Sequence, residues 1–314
     1  MGKVLVTGCG GFIGSSLCYA LLQDGYYVTG IDIFTSNYER WIKERNLESL
    51  KQFSRFRFME VDLAAFPLAS LLDKVDYVFH LAAIPGVRTS WGEHFAKYAK
   101  NNVLATQLLL EAVKHSSIKK MIYASSSSVY GGMMGSTDEQ RTPHPISPYG
   151  VTKLAAEHLC QLYARNFHVP VISLRYFTVF GPRQRPDMAF HKMIYSILQD
   201  APVTIFGDGE QSRDFTFIKD AVTANILAMQ SPYIGEVFNV GGISRLRINE
   251  IIDIIEKQTG QKAKRQYLPE QPGDPKHTWA DITKAKNMLQ YDPQFDVEKG
   301  MYLQIQDVKT LYNL

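Results

Sequence analysis

The sequence predicts an α/β fold, a doubly wound parallel sheet joined to a smaller mixed α/β lid. Short apolar runs alternate with stretches of helical periodicity through roughly the first 175 residues. The runs are continuously apolar, as in strands buried on both faces. Glycine and polar residues cluster just after them, where such sheets bind ligands.

Residues 4–7 form a β-branched run that ends in Gly8-Cys9-Gly10-Gly11. Residues 12–22 carry helical spacing through Ile13, Leu17, Ala20 and Leu21. A second buried strand starts at Tyr27 and ends at Asp32. Residues 56–61 form a third, ending before Asp62, and residues 75–80 a fourth, followed by Leu81-Ala82-Ala83. One long helix is expected over residues 95–114. A fifth strand over 120–124 ends in four serines. Residues 148–166 read as a helix, and 169–174 as a sixth strand. Beyond Arg175 the pattern loosens. Residues 181–187 form a loop, and Gly207-Asp208-Gly209 turns between two short extended segments. Helical patterns return over 218–229, 248–258 and 284–289. This half is expected to cover the strand ends, which divides the chain into 1–175 with 214–242 and 176–213 with 243–314.

Composition narrows the function. The chain has 314 residues, 45% of them hydrophobic and 21% charged, so it can bury a core and is not disordered. Its 34 basic and 31 acidic residues nearly balance, which argues against a broad nucleic-acid surface. Cys9, Cys18 and Cys160 are widely spaced and contain no CxxC pair, so neither a disulfide framework nor a structural metal site is expected. No apolar run is long enough to span a membrane. The first residues lead straight into a glycine turn, without the apolar stretch and cleavage site of a leader. A cytoplasmic protein in a reducing compartment is expected.

Gly8, Gly11 and Gly14, with Phe12 and Ile13 between the last two, fall between the first strand and the first helix. Gly8 permits the sharp turn, Gly11 lets backbone approach a pyrophosphate, and Gly14 lets the helix pack closely. The helix N-terminus offers free N–H groups and the positive end of its dipole. Asp32, ending the second strand, stands at the spacing where a carboxylate accepts bonds from an adenosine ribose. A carboxylate there repels a 2′-phosphate, so NAD is favoured over NADP. Asp62 and Leu63 would flank the adenine. These features define a Rossmann-type sheet.

Tyr149-Gly150-Val151-Thr152-Lys153 is the second constellation. Seventeen tyrosines make about one such spacing expected by chance. Here, however, it opens a helix, so Tyr149 and Lys153 share a face, and it follows the serine run 125–128. A free phenol has a pKa near ~10. An ammonium about 4 Å away contributes ~4 kcal/mol at an effective dielectric of about 20, or about three pKa units. Tyr149 is then expected to act as a phenolate base on a sugar hydroxyl that Ser126 orients.

Along nearly its whole length the chain resembles an extended short-chain dehydrogenase/reductase of the NAD-dependent nucleotide-sugar epimerase/dehydratase family. The residues that carry the likeness are residues 7–14, His80-Leu81-Ala82-Ala83, the serine run with Val129-Tyr130-Gly131, Ser147-Pro148-Tyr149 through Lys153, and Arg175-Tyr176-Phe177-Thr178 through Pro182. Within the family it is most similar to UDP-glucuronic acid 4-epimerases, through Ala83-Ile84-Pro85-Gly86-Val87-Arg88, Phe177-Thr178 and Arg185-Pro186-Asp187-Met188-Ala189. The resemblance implies Leu81, Ala82, Ala83, Asn101, Lys153 and Phe177 around the cofactor. It implies Pro85, Arg88, Arg185, Gln211 and Arg213 about the nucleotide sugar, Phe206 against uracil, and Asp274 on the uridine ribose. It also implies a homodimer through the helices at 95–114 and 148–166.

The activity implied is a reversible 4-epimerisation through a transient 4-keto sugar, with tightly held NAD restored in every cycle. Thr178 stands where hexose epimerases of the family commonly have Asn, and Ser127 and Ser128 stand where decarboxylases and dehydratases carry acidic residues. Three hydroxyls would hold a uronate carboxylate without repelling it. Other readings are a UDP-glucose/galactose 4-epimerase, a UDP-glucuronate decarboxylase or dehydrogenase, and a non-catalytic NAD sensor. His80, His191, Cys9 and Trp91 are expected to be structural. The charged run at 39–45 is expected to be a solvated helix face, and Arg213-Asp214 is weighed as a surface ion pair.

Overall fold

The computed structural model describes residues 2–132 and 135–314. Its strands are β1 (Lys3–Thr7), β2 (Tyr27–Asp32), β3 (Phe56–Glu60), β4 (Tyr77–His80), β5 (Lys120–Ser126), β6 (Val171–Tyr176), β7 (Thr178–Phe180), β8 (Pro202–Phe206), β9 (Ser212–Phe217), β10 (Val237–Val240), β11 (Ser244–Arg247) and β12 (Lys264–Leu268). Its α-helices are α1 (Phe12–Gln23), α2 (Arg40–Lys51), α3 (Phe95–Tyr98), α4 (Ala105–Lys114), α5 (Pro148–Phe167), α6 (Ala189–Leu198), α7 (Ile218–Gln230), α8 (Ile248–Thr259), α9 (Thr283–Leu289) and α10 (Val297–Tyr312).

Seven strands form one parallel sheet in the order β10-β6-β5-β4-β1-β2-β3. Strand order reverses at β1, so a crevice opens beyond the carboxyl ends of β1 and β4. One face of the sheet packs on α1 and α7 through Leu17, Leu21, Ala221 and Ala228, and the other on α4 and α5 through Leu109, Val113, Ala156 and Cys160. The remaining strands make a mixed sheet, β11-β9-β7, and a parallel pair, β12-β8. β9 pairs with β7 and β11, so the chain returns to the large sheet at α7. Val237–Val240 supplies a seventh strand that periodicity alone does not predict.

Two local features shape the site. The helix expected over 95–114 is not continuous: α3 and α4 flank a π-helical segment, Ala99–Leu104. Such segments insert an extra residue per turn and re-aim side chains. Helix α5 begins with Pro148 behind Ser147, whose Oγ accepts the Gly150 N–H at 3.1 Å. It is tied to the sheet by Glu157, which pairs with Arg175 at 2.6 Å in full burial and accepts the Ser125 hydroxyl at 2.6 Å.

Candidate active site

A cleft of about 420 Å³ lies at the crevice between β1 and β4. Gly8, Gly11, Phe12, Ile13, Gly14, Asp32, Asp62, Leu63, Leu81, Ala82, Ala83, Asn101, Tyr149, Lys153 and Phe177 all line it, together with Pro85, Ser126, Ser127, Ser128, Thr178 and Arg185.

Its floor is the turn after β1. Gly8 has a φ of +75°, and a Cβ there would stand 2.8 Å from the Ala82 nitrogen. A Cβ on Gly14 would come within 2.1 Å of the Gly8 carbonyl oxygen, so only glycine lets α1 start this close to the strand end. A Cβ on Gly11 would meet only that same oxygen, at 3.2 Å. Gly11 precedes the first turn of α1, and among the described residues no side chain caps that turn. The floor therefore fits a pyrophosphate held by backbone amides.

Asp32 accepts the Gly10 amide at 3.0 Å and the Phe34 amide at 2.9 Å. Each oxygen keeps lone pairs for a ribose. Burial pushes this carboxyl up, against those amides and the nearby Lys43 ammonium. Lys43 corrects one expectation. It lies in the charged run at 39–45, yet it is buried, lines the cleft and donates to the Thr35 carbonyl at 2.5 Å and Asn37 Oδ1 at 3.0 Å. Its neighbours Glu39, Arg40 and Glu44 are exposed, as expected of a solvated face. Asp62 accepts the Ala64 amide at 2.9 Å and pairs with Lys100 at 3.0 Å, which hold it below the usual carboxylate range. Asn101 belongs to the π segment. Its neighbour Asn102 is buried, accepts the Ile84 N–H at 2.7 Å and donates to the Ile84 carbonyl at 3.0 Å, so it fixes the strand-end loop after Leu81-Ala82-Ala83.

Tyr149 opens α5 and lies edge-on to Tyr98, with ring centroids 6.3 Å apart. Ser126 lies close enough to the Tyr149 hydroxyl to favour its ionised form, and Ser126 Oγ accepts the Ser128 N–H at 3.1 Å. Lys153 is buried and places its ammonium 4.6 Å from the centre of the Tyr123 ring. The expected electrostatics are reversed in the protein alone. Burial pushes the Tyr149 phenol up, although Ser126 and Arg185 act against it. Burial also pushes Lys153 down to about 8, opposed by Cys160 and Glu157. The charged and titratable groups that act on Tyr149 are Arg185 and Tyr98, and desolvation dominates at both Tyr149 and Lys153. Arg185 lines the same end of the cleft with both guanidinium bonds to Asp187, at 2.9 Å each. Phe177 is buried beside Tyr130, and Thr178 starts β7.

Arg88, Phe206, Gln211, Arg213 and Asp274 fall outside the cleft lining but are brought together beside it. The Arg88 guanidinium sits 4.0 Å from the Phe206 ring centre and donates to Asp274 at 2.5 and 2.9 Å. Gln211 Nε2 donates to the Phe206 carbonyl at 2.7 Å. Arg213 bonds the Ser212 and Lys276 carbonyls at 3.0 Å, and its charge is felt by Asp274 and Arg88. Arg213 and Asp214 are no surface pair: Asp214 is buried, accepts the Gly242 and Ala280 amides, and is pushed up to about 6 by burial.

His80 bridges Thr7 at 2.8 Å and Thr106 at 2.9 Å in full burial, and burial pushes it down to about 3. It therefore stays neutral and structural. His191 is likewise buried against the Gln184 carbonyl, at 2.9 Å. Trp91 is 46% exposed, so it does not anchor its loop by burial.

The family model for the NAD dependent epimerase/dehydratase family matches residues 4–241. Over 99% of both chains, the protein is 48% identical to an uncharacterised UDP-glucose epimerase of Bacillus subtilis. It is 39% identical to a UDP-glucuronate 4-epimerase of Thermodesulfobacterium geofontis, over 96% of this chain and 94% of the other. Among solved structures, a UDP-glucuronic acid 4-epimerase from Bacillus cereus, in complex with UDP-glucuronic acid and NAD, superposes with a TM-score of 0.97 at 50% identity. That match covers 99% of this chain and all of the other. The chain belongs to the NAD dependent epimerase/dehydratase family.

Proposed function

We propose that the protein is an isomerase, an NAD-dependent UDP-sugar 4-epimerase that interconverts UDP-glucuronate and UDP-galacturonate. The observation that carries this reading is the composition of the cleft at its Tyr149 end. Ser126, Ser127, Ser128, Thr178 and Arg185 line the cleft with Tyr149 and Lys153, while the acidic lining residues are Asp32, which ends β2, and Asp62, which follows β3. A sugar carboxylate meets hydroxyls there, and the Arg185 cation whose charge Asp187 shares. The identity to UDP-glucuronate 4-epimerases supports the same substrate.

NAD, when bound, supplies the acceptor and donor for hydrogen at C4. Gly8, Gly11 and Gly14 clear the backbone for its pyrophosphate, Asp32 takes the ribose hydroxyls, and Asp62 and Leu63 border the adenine. Ser126 orients the C4 hydroxyl and Tyr149 removes its proton as the 4-keto sugar forms. Tyr149 then returns the proton when hydrogen comes back to the opposite face. The Lys153 ammonium supports the developing phenolate. The sugar must turn over between the two half-reactions, so the grip belongs on the nucleotide. Arg88, Phe206, Gln211, Arg213 and Asp274 provide it. Ser127, Ser128 and Thr178 hold the carboxylate out of the orientation that eliminates CO₂.

A second reading, UDP-glucose 4-epimerisation, has the support of the Bacillus subtilis relative. Parallel incubation with UDP-glucuronate, UDP-glucose and UDP-N-acetylglucosamine, followed by NMR of the products, separates the two. UDP-galacturonate with little pentose is expected. Faster turnover of UDP-glucose would reject the uronate assignment, and dominant UDP-xylose would reject the role of the serines. We place the enzyme in the cytoplasm as a homodimer. Leu104, Val151 and Leu162 are exposed on and beside α4 and α5. Among the described residues no helix is long and apolar enough to cross a membrane.

A further inference from the structure

The loop at residues 85–90 carries Arg88 to the nucleotide cluster, and the same loop touches the backbone of the catalytic tyrosine. Arg88–Ser90 forms a single 3₁₀ turn. Ser90 is fully buried. Its hydroxyl donates to the Val87 carbonyl at 2.7 Å and accepts the N–H of Tyr149 at 3.1 Å. The Tyr149 amide lies in the first turn of α5, where helix N–H groups have no intrahelical acceptor. Ser147 caps the Gly150 amide of that turn, and Ser90, 59 residues away in sequence, caps the Tyr149 amide.

The other end of the loop is fixed too. Gly86, at φ +113°, turns the chain so that the Tyr98 hydroxyl reaches the Pro85 and Gly86 carbonyls at 2.9 and 3.1 Å and meets the Thr89 hydroxyl at 2.7 Å. The turn that carries Asp274 packs on the same pieces. A Cβ on Gly273 would stand 3.3 Å from both the Val87 side chain and the Ile146 carbonyl, just ahead of α5. The segments that would grip the nucleotide and the segment that seats Tyr149 therefore form one contact unit.

We propose that Ser90 is a positioning residue that couples nucleotide capture to the seating of Tyr149. When the nucleotide engages Arg88, the 3₁₀ turn moves with it, and the Ser90 hydroxyl carries that shift to the first turn of α5. This inference rests on the reading of the cleft as a UDP-sugar site. It gives the grip a second duty, so that the base is aligned only while the UDP portion is held. A sugar with no nucleotide would meet a poorly seated base.

The test uses the NAD-loaded enzyme, Ser90→Ala, Arg88→Ala and the double variant, with UDP as the probe ligand. Residue-resolved hydrogen exchange should show the Tyr149 amide slowing when UDP binds the native enzyme. In Ser90→Ala it should exchange faster and ignore UDP. Turnover in Ser90→Ala should fall about tenfold, the effect of leaving one buried N–H unpaired, with UDP affinity held within about twofold. In the Arg88→Ala background the same change should cost about twofold or less, because the coupled residue is already gone. Three results would overturn the proposal: native exchange at Tyr149 that does not respond to UDP, a full tenfold loss in the Arg88→Ala background, or parallel loss of UDP affinity, turnover and melting temperature in Ser90→Ala, which marks simple unfolding of the loop. Exchange is read without turnover. A chain that bound UDP with this response but epimerised no UDP-sugar would therefore reject the functional reading and leave the coupling standing.

Discussion

The floor of the cleft and the cluster around Phe206 are built in different ways. The floor comes from neighbouring strand ends. Gly8 and Gly14 are packed so tightly against backbone that no side chain fits, and Asp32 is held in place by two amides. The cluster draws Arg88 from a 3₁₀ turn, Asp274 from a loop, and Phe206 and Arg213 from β8 and β9, with Arg88 lying on Phe206 and paired with Asp274. A floor of this kind is preorganised and suits a cofactor that stays through every cycle. The Arg88–Asp274 pair must exchange partners to admit a ligand, which suits a substrate that enters and leaves. Tyr149 stands where the two regions meet.

The largest effect is expected at that meeting point. Tyr149→Phe should lower kcat by a factor of about 10² or more, since general-base catalysis contributes that much, while NAD remains bound to the purified protein. Near-normal turnover would reject Tyr149 as the base. The floor should break next and as a unit. In Gly14→Ala the added carbon has no space at 2.1 Å from backbone, so the purified variant should lose bound NAD, read from its absorbance and by release on denaturation. The cluster should give way gradually. Asp274→Ala leaves Arg88 without its partner and should raise KM for the UDP-sugar about tenfold with kcat changed much less. A collapse of NAD content in Asp274→Ala, or a mere KM effect in Gly14→Ala, would erase the contrast between the two regions.

The smallest effect concerns the charge buried beside Tyr149. Lys153 has its pKa lowered to about 8 in the folded protein, against the ordinary 10.5. Between those values the unfolded chain binds the extra proton, so this group's contribution to stability rises with pH from about 8 upward and is least favourable below it. Lys153→Met in the cofactor-free protein should therefore raise the melting temperature at pH 7 by about 3 °C, and with NAD supplied it should abolish turnover. The gain should shrink as pH rises above 8. An unchanged or lower melting temperature would mean that the contact with the Tyr123 ring offsets the cost of burial.

The same contrast governs what the sequence discloses. The floor is legible because its parts are contiguous: a glycine spacing between a strand and a helix, Asp32 at the next strand end, and a tyrosine and lysine four apart on one helix. Their burial is not legible, and burial reverses the pKa shifts argued from spacing. Lys43 sits among charged neighbours that are exposed, so its turn into the cleft carries no mark in the sequence. The π segment leaves none either, since residues 99–104 read Ala-Lys-Asn-Asn-Val-Leu and hold no glycine or proline to mark a break while the backbone adds its extra residue. Helix α10 is different. Val297, Met301, Ile305 and Val308 fall at helical spacing behind the Asp296 cap, and that signal was there to be read. Ser90 could not be found from sequence, because its partner is a backbone amide 59 residues away.

In a 4-epimerisation of this kind, hydrogen removed from C4 returns to the same carbon from the other side. UDP-glucuronate carrying deuterium at C4, incubated with the enzyme in ordinary water, tests this directly by NMR and mass spectrometry of the products. UDP-galacturonate that retains deuterium at C4 through many turnovers, with no added NAD consumed, is the expected product. Loss of the label to solvent, or a stoichiometric rise in absorbance at 340 nm with a keto product, would contradict it.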